Sequence, residues 1–181
     1  MLGLRGLLLA VALGASFGVD AAETVALEAP AAVEAALIPG YTRLTPSLAA
    51  AGQPTPEALA RLRELGFRTV VNLRAESEPG VAEEAQAVRA AGLAYVSVPV
   101  TPEAFSAADV AAVRRVLDDP AGGPVLLHCG SSNRVGGVWA VVQAQAKGLT
   151  VEQALAEGER AGLRSASMKD AVRRVLTPPS K

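Results

Sequence analysis

The chain is expected to fold as an α/β protein, with a mainly parallel sheet flanked by helices. Three observations carry this expectation. Short β-branched or apolar stretches alternate with helical ones from about residue 55 onward. Most of the helical stretches have a cap residue in front or a glycine behind. The stretch PVLLH, residues 124–128, is almost continuously apolar, as strands covered on both faces are. Helices lying between successive strands provide the crossovers that parallel pairing requires.

In chain order, Thr55-Pro56-Glu57 opens the first helix with a cap and a proline at its first position, and Gly66 closes it. Phe67 to Leu73 (FRTVVNL) is β-branched and apolar, hence a strand. Pro79 to Ala91 is helical with charges along one side and ends at Gly92; Leu93 to Val100 (LAYVSVPV) is the next strand. Ser106 and Asp109 form a capping box before a helix over Val110 to Leu117. After the strand Pro124 to His128, the run from Arg134 is a helix closed by Gly148. Thr150 to Gln153 starts another helix, and Ser167 to Asp170 begins the last. Residues 41–176 are expected to form the folded domain and 177–181 a tail, with no internal repeat, linker or second domain expected.

The N-terminus reads differently. Arg5 precedes an apolar run from Gly6 to Val19, and Val19-Asp20-Ala21 presents small residues at the cleavage-determining positions, so residues 1–21 are expected to be a secretory signal peptide. The run is shorter than a bilayer span, although Leu2 and Leu4 extend it and leave an uncleaved anchor as the alternative. Without a cysteine near the cleavage site, lipid attachment there is excluded. Residues 22–40 are an Ala-rich lead-in. The expected product is exported, periplasmic or secreted, with no stable membrane insertion once the signal is cleaved.

At 181 residues the chain can bury a core without disulfides or metal. Half of it is hydrophobic but only 3% aromatic, so the core must be aliphatic. A formal net charge of −1 gives no basic footprint for nucleic acid, and no such partner is expected.

The chemistry concentrates in VLLHCGSSNRVGG, residues 125–137, which holds the chain's single histidine, His128, beside its single cysteine, Cys129. The order is strand, His128-Cys129, Gly130-Ser131-Ser132-Asn133, then Arg134 at the start of a helix. Ligand sites of open α/β sheets lie beyond the carboxyl ends of the strands, where this loop falls. A helix N-terminus adds unpaired N–H groups and the positive end of a dipole, which suits an anion. The same setting favours a thiolate, so Cys129 is read as a nucleophile rather than a buried apolar residue. Gly130 lets the backbone approach a ligand, and Ser131, Ser132 and Asn133 hold the curve. Arg134 offers a planar fork to two oxygens of a tetrahedral oxyanion. His128 is read as structural, fixing the loop and helping to keep the thiolate ionised.

These residues resemble the His-Cys-to-Arg signature of cysteine-based phosphatases. A closer likeness is to the bacterial dual-specificity-phosphatase-like family that is also found attached to β-lactamase-like hydrolases. It rests on Gly52-Gln53-Pro54 before a helix, Asn72-Leu73-Arg74 ending a strand, and His128 to Arg134, and it covers roughly Tyr41 to Gly148. The resemblance implies a cysteine-phosphatase-like fold and attack by Cys129 on phosphorus to form a thiophosphate, with Arg134 binding the phosphoryl oxygens. The implied substrate is a phosphorylated small molecule or protein, including phosphotyrosine, and neither cofactor nor metal is implied.

Such two-step catalysis also requires an acid that later serves as base. Where the phosphatases place an aspartate, Val98-Pro99-Val100-Thr101-Pro102 is followed here by Glu103, the candidate acid. Asp109 is explained by its capping box, and Asp118 and Asp119 as solvated. Arg74 either lines the mouth and recognises a second negative group or is a surface arginine; Gln53 is a turn residue and Trp139 a core one. Gly136 and Gly137 are expected to let their helix pack closely on the sheet. Only four residues separate Cys129 from Arg134, against five in the phosphatase signature. That shorter ring resembles rhodanese-type sulfurtransferases, so a Cys129 persulfide or a thiol-redox role is one alternative. An anion-binding module without turnover is another.

Overall fold

A computed structural model describes residues 38–177. The expected signal peptide, and nearly all of the lead-in and tail, fall outside these residues. Five strands form one sheet: β1 (Thr42–Thr45), β2 (Leu48–Ala51), β3 (Thr69–Asn72), β4 (Ala94–Ser97) and β5 (Val125–His128), in the spatial order β1-β2-β5-β3-β4. Only the β1–β2 pair is antiparallel; β2–β5, β5–β3 and β3–β4 are parallel, so the expected mainly parallel α/β sheet is present. Six helices accompany it among the described residues: α1 (Pro56–Arg61), α2 (Val81–Ala90), α3 (Ala107–Leu117), α4 (Asn133–Lys147), α5 (Val151–Arg160) and α6 (Ala166–Leu176).

The sequence reading missed the first two strands. Leu48–Ala51 is LAAA, and alanine is depleted in strands. It forms one because it is wholly buried between β1 and β5, where tertiary packing overrides propensity. The strands that were expected are shorter than their apolar runs, since only four residues of each pair.

Alternation along the strands sends side chains to two cores. Ala49, Val70 and Leu126 pack with Leu59, Leu62 and Val88 from the α1 and α2 side. Val71, Leu127 and Cys129 pack with Val113 of α3, Val138 and Val141 of α4, and Met168 of α6. Trp139 joins this second cluster, as expected of a core residue.

The cap signals hold. Thr55 Oγ1 accepts from Ala58 N at 3.1 Å, and Asp109 accepts from Ser106 N at 2.9 Å. Thr150 and Gln153 exchange backbone-to-side-chain bonds at 3.0 and 3.3 Å. The last helix begins at Ala166, not within Ser167 to Asp170, because Ser165 caps it through Met168 N at 3.2 Å. Gly136 and Gly137 do not face the sheet as expected. A Cβ on Gly136 would meet the backbone of Gly158 and Leu163, and one on Gly137 the side chain of Met168, so both serve contacts with α5, α6 and the turn between them.

Candidate active site

The parallel strands end in register, with Ala51 and Asn72 both opposite His128 and Asn72 opposite Ser97. From that edge the chain passes through Cys129 into a short loop and then α4. Cys129 is 1% exposed, and its backbone N–H donates to Ala51 O at 3.3 Å. The loop carbonyls are taken up by neighbouring residues. Gly130 O accepts from Gln53 N at 3.3 Å, and Ser131 O accepts from Arg164 Nη2 at 2.7 Å. The Gly52–Ser131 bridge turns the Ser132 amide toward Ala51 O, while the amides of residues 130, 131 and 133 to 135 donate to no protein oxygen among the described residues. The last three of these belong to the first turn of α4, whose N–H groups have no intrahelical partner. Ser132, which enters α4, has φ 65°, the only left-handed non-glycine residue described. Backbone strain of that kind concentrates at ligand-holding turns.

Arg134 crosses this loop. Its Nη1 donates to Glu78 Oε1 at 2.5 Å and its Nη2 to Glu78 Oε2 at 3.0 Å, a two-point pair. Nη1 also approaches Leu73 O at 3.4 Å and Val100 O at 3.5 Å. A guanidinium has five N–H donors, so Nε–H and the second Nη2–H remain on the side that the Cys129 sulfur approaches, where an oxyanion could share them. The hydrogen bond to Glu78, and secondarily the Cys129 sulfur beside it, hold Arg134 still more firmly in its protonated form. Glu78 in turn is pushed down to about 2, chiefly by its hydrogen bond from Arg134 and helped by the Ala75 N–H. Glu78 also accepts from Arg74 Nε at 3.2 Å and so ties the two arginines together.

Beneath the loop lies a buried polar network. Glu84, 3% exposed, accepts from Gln53 Nε2 at 2.5 Å and Asn72 Nδ2 at 3.1 Å. His128 Nε2 lies 2.7 Å from Glu84 Oε1, off-line for a hydrogen bond. Burial alone would raise the Glu84 carboxyl, but His128, Gln53 and Arg74 outweigh it and hold it below the usual range. Tyr95, whose hydroxyl accepts from Asn72 at 2.9 Å, is shifted up by burial. His128 is thus a buried structural residue joined to Glu84. Arg74 is 8% exposed and donates to Gln53 Oε1 and Pro79 O, each at 2.6 Å, as well as to Glu78. So buried, it is not a surface arginine, and three of its five N–H donors are engaged within the chain; Gln53 is a network member rather than a simple turn residue.

The turn between α5 and α6 grips the loop from outside. Ser132 Oγ donates to Ala161 O at 3.0 Å, while Asn133 Oδ1 accepts from Arg164 N at 2.8 Å and Ser165 N at 3.0 Å. The Ser132 and Asn133 side chains therefore hold the loop's shape rather than face a ligand. Glu103 is exposed, in the turn that follows Val100, and Arg174 braces that turn through Pro102 O at 2.6 Å. Asp109 is engaged in its capping box, and Asp118 and Asp119 are exposed at the end of α3. Glu78, Glu84 and Arg164 were not recognised in the sequence. No group of three or more metal-ligating side chains occurs among the described residues.

Glu78→Gln is expected to keep the fold but lower kcat/KM for a phosphomonoester roughly 100-fold, as a misplaced binding group does. In the parent, the Glu78 carboxyl is held below its unfolded value of 4.5, so its contribution to stability is complete above that pH and is lost as pH falls towards 2. The Gln variant should lack that component of the acid unfolding profile. An unchanged profile and rate would show that Arg134 is positioned without Glu78.

Three comparisons bear on this arrangement. The family described as "Beta-lactamase hydrolase-like protein, phosphatase-like domain" matches residues 40–146. A β-lactamase hydrolase-like protein of Xylella fastidiosa is 38% identical over 91 residues, 48% of this chain and 21% of the relative. The matched stretch thus spans about a fifth of that curated relative. A DUF442 protein of Shewanella putrefaciens superposes with a TM-score of 0.63 at 22% identity, covering 78% of this chain and 94% of the other. TpbA of P. aeruginosa, solved in complex with pTyr, superposes at 0.61 with 22% identity, covering 77% and 83%. At these identities the two structures establish the shared fold, that of the cysteine-phosphatase group.

Proposed function

The chain belongs to the family of phosphatase-like domains found in β-lactamase hydrolase-like proteins, and from that membership and the Cys129 loop we propose that it hydrolyses phosphomonoesters through a cysteinyl-phosphate intermediate. One observation carries the reading: in the loop between Cys129 and Arg134 the amides of residues 130, 131 and 133 to 135 have no protein acceptor among the described residues, and the Arg134 guanidinium lies beside the Cys129 sulfur. Donors fixed in advance where charge develops are the largest source of stabilisation in group transfer.

In the first step the deprotonated Cys129 sulfur attacks phosphorus, forming the S–P bond as the ester P–O bond breaks. The departing oxygen takes its proton from the Glu103 carboxyl. In the second step that carboxylate removes a proton from water, whose oxygen attacks phosphorus and expels the sulfur, releasing inorganic phosphate. The loop amides and Arg134 bind the non-bridging oxygens throughout, and Glu78 holds the arginine flat. The substrate class is a phosphorylated small molecule or a phosphorylated side chain such as phosphotyrosine.

A second reading rests on the loop's length. Four residues between Cys129 and Arg134 make a ring one residue smaller than the phosphatase signature, which suits sulfur carriage by a Cys129 persulfide. Purified chain under reducing conditions, given an aryl phosphate in one assay and thiosulfate with cyanide in another, separates the two. Phosphate release, with a 1:1 phosphoryl adduct on Cys129 in quenched samples, is expected. Thiocyanate formation without phosphate release would replace the phosphatase reading with the sulfurtransferase one.

A further inference from the structure

The other end of the sheet holds a concavity that the catalytic loop does not use. The parallel strands begin there, at Thr69, Ala94 and Val125, one full strand length from the edge that carries Cys129. The cavity measures about 780 Å³, within the range of small-molecule sites. Arg63, Arg68 and Arg115 line it, against a single carboxylate, Asp119.

None of the three arginines has a carboxylate partner among the described residues. Arg63 Nη1 donates to Gly92 O at 2.9 Å, and Arg115 Nε reaches Ala111 O at 3.4 Å. The Arg68 guanidinium makes no hydrogen bond or ion pair with any described residue. Many other arginines here are paired: Arg61 with Glu64, Arg74 and Arg134 with Glu78, Arg114 with Asp118, Arg173 with Asp170. Like charges around one hollow repel each other, and an anion placed among them relieves that repulsion while taking up their free donors. The remaining wall is partly apolar, with Phe67, Val96, Val116 and Pro124, so it accepts a ligand body as well as its charges.

We propose that this concavity, framed by Arg63, Arg68 and Arg115, is a second anion site, for a small molecule that carries two or more phosphate groups on an apolar or planar body. It is independent of the catalytic reading. Arginine forks match phosphate oxygens in pairs, and three of them exceed what one monoanion can use.

The probe is ATP, titrated calorimetrically into the full chain at low salt, with the arginine variants separating binding here from binding at the Cys129 loop. Binding is expected, weakening steeply between low and physiological salt because the arginines are exposed. In the double variant Arg68→Ala/Arg115→Ala the affinity is expected to fall roughly tenfold or more, two exposed charge contacts having been removed. Aryl phosphate turnover should stay at the parent level in that variant, and its far-UV spectrum and melting curve check that it is folded. Binding that persists undiminished in the folded variant, or no binding of ATP to the parent at low salt, overturns the proposal. Should the double variant unfold, Arg68→Glu alone serves, since that side chain has no contact to lose, and it is expected to abolish binding.

Discussion

Cys129→Ser is expected to bring phosphate release from an aryl phosphate down to background, a loss on the order of 10⁵-fold, which is the scale seen when a covalent nucleophile is removed. The rest of the site should survive. Cys129 is 1% exposed among Val135, Leu127 and Val100, and serine is slightly smaller, so no overpacking follows. The cradle is held by groups other than the thiol: Gln53 N on Gly130 O, Arg164 on Ser131 O, Ser132 on Ala161 O and Glu78 on Arg134. Orthophosphate should therefore still raise the melting temperature of the variant, by mass action on a site that exists only in the folded chain. Retained turnover would place the nucleophile elsewhere. Loss of phosphate binding together with turnover would mean that the sulfur shapes the cradle as well as attacking from it.

How much of this was legible in the sequence differs from residue to residue. The catalytic loop was legible because its parts are local: strand, cysteine, glycine, arginine and helix lie within a dozen residues, and chain order alone places them at the carboxyl edge of a sheet. The capping boxes were legible for the same reason. Glu78 and Glu84 were not. Glu78 sits in the charged, Pro-bounded stretch ESEPG, which reads as solvated loop, and its partner Arg134 is 56 residues away. Glu84 lies on a helix with charges spaced as on an exposed face, yet it is 3% exposed because Gln53, Asn72 and His128 converge on it from three strand ends. Both belong to contacts made by the fold's closure, which leaves no periodic signature. The same holds for Arg164 and for β2, whose alanines look helical until β1 and β5 enclose them. The departure at Arg74 has one physical cause: a strand-end arginine was expected to face outward, but Gln53, Glu78 and Pro79 supply acceptors from the inside.

The adjacent glycines of α4 turn this closure into a second test. Gly136→Ala is expected to destabilise the chain by about 3 kcal/mol, at the upper end for overpacking, because the obstruction is backbone. A Cβ there would lie 2.3 Å from Leu163 N and 2.5 Å from Gly158 O, distances that no side-chain rotation relieves. Alanine's better helix propensity returns up to about 1 kcal/mol and does not reverse the sign. A fall in Tm of roughly 10 °C follows for a domain of this size. Gly137→Ala is the control. Its nearest obstacles are Cε and Cγ of Met168, at 2.4 and 2.9 Å, and a thioether chain can swing aside, so the cost should be clearly smaller. The site reports the difference too. Relieving the Gly136 clash means moving the turn at Ala161 to Ser165, the segment that holds Ser131, Ser132 and Asn133 in place. At a temperature where Gly136→Ala is still folded, its kcat/KM should fall while that of Gly137→Ala stays close to the parent's. Equal melting temperatures for the two variants would show that α4 and the α5–α6 turn are not locked together as the packing requires, and that the cradle's geometry is set from the strand side alone.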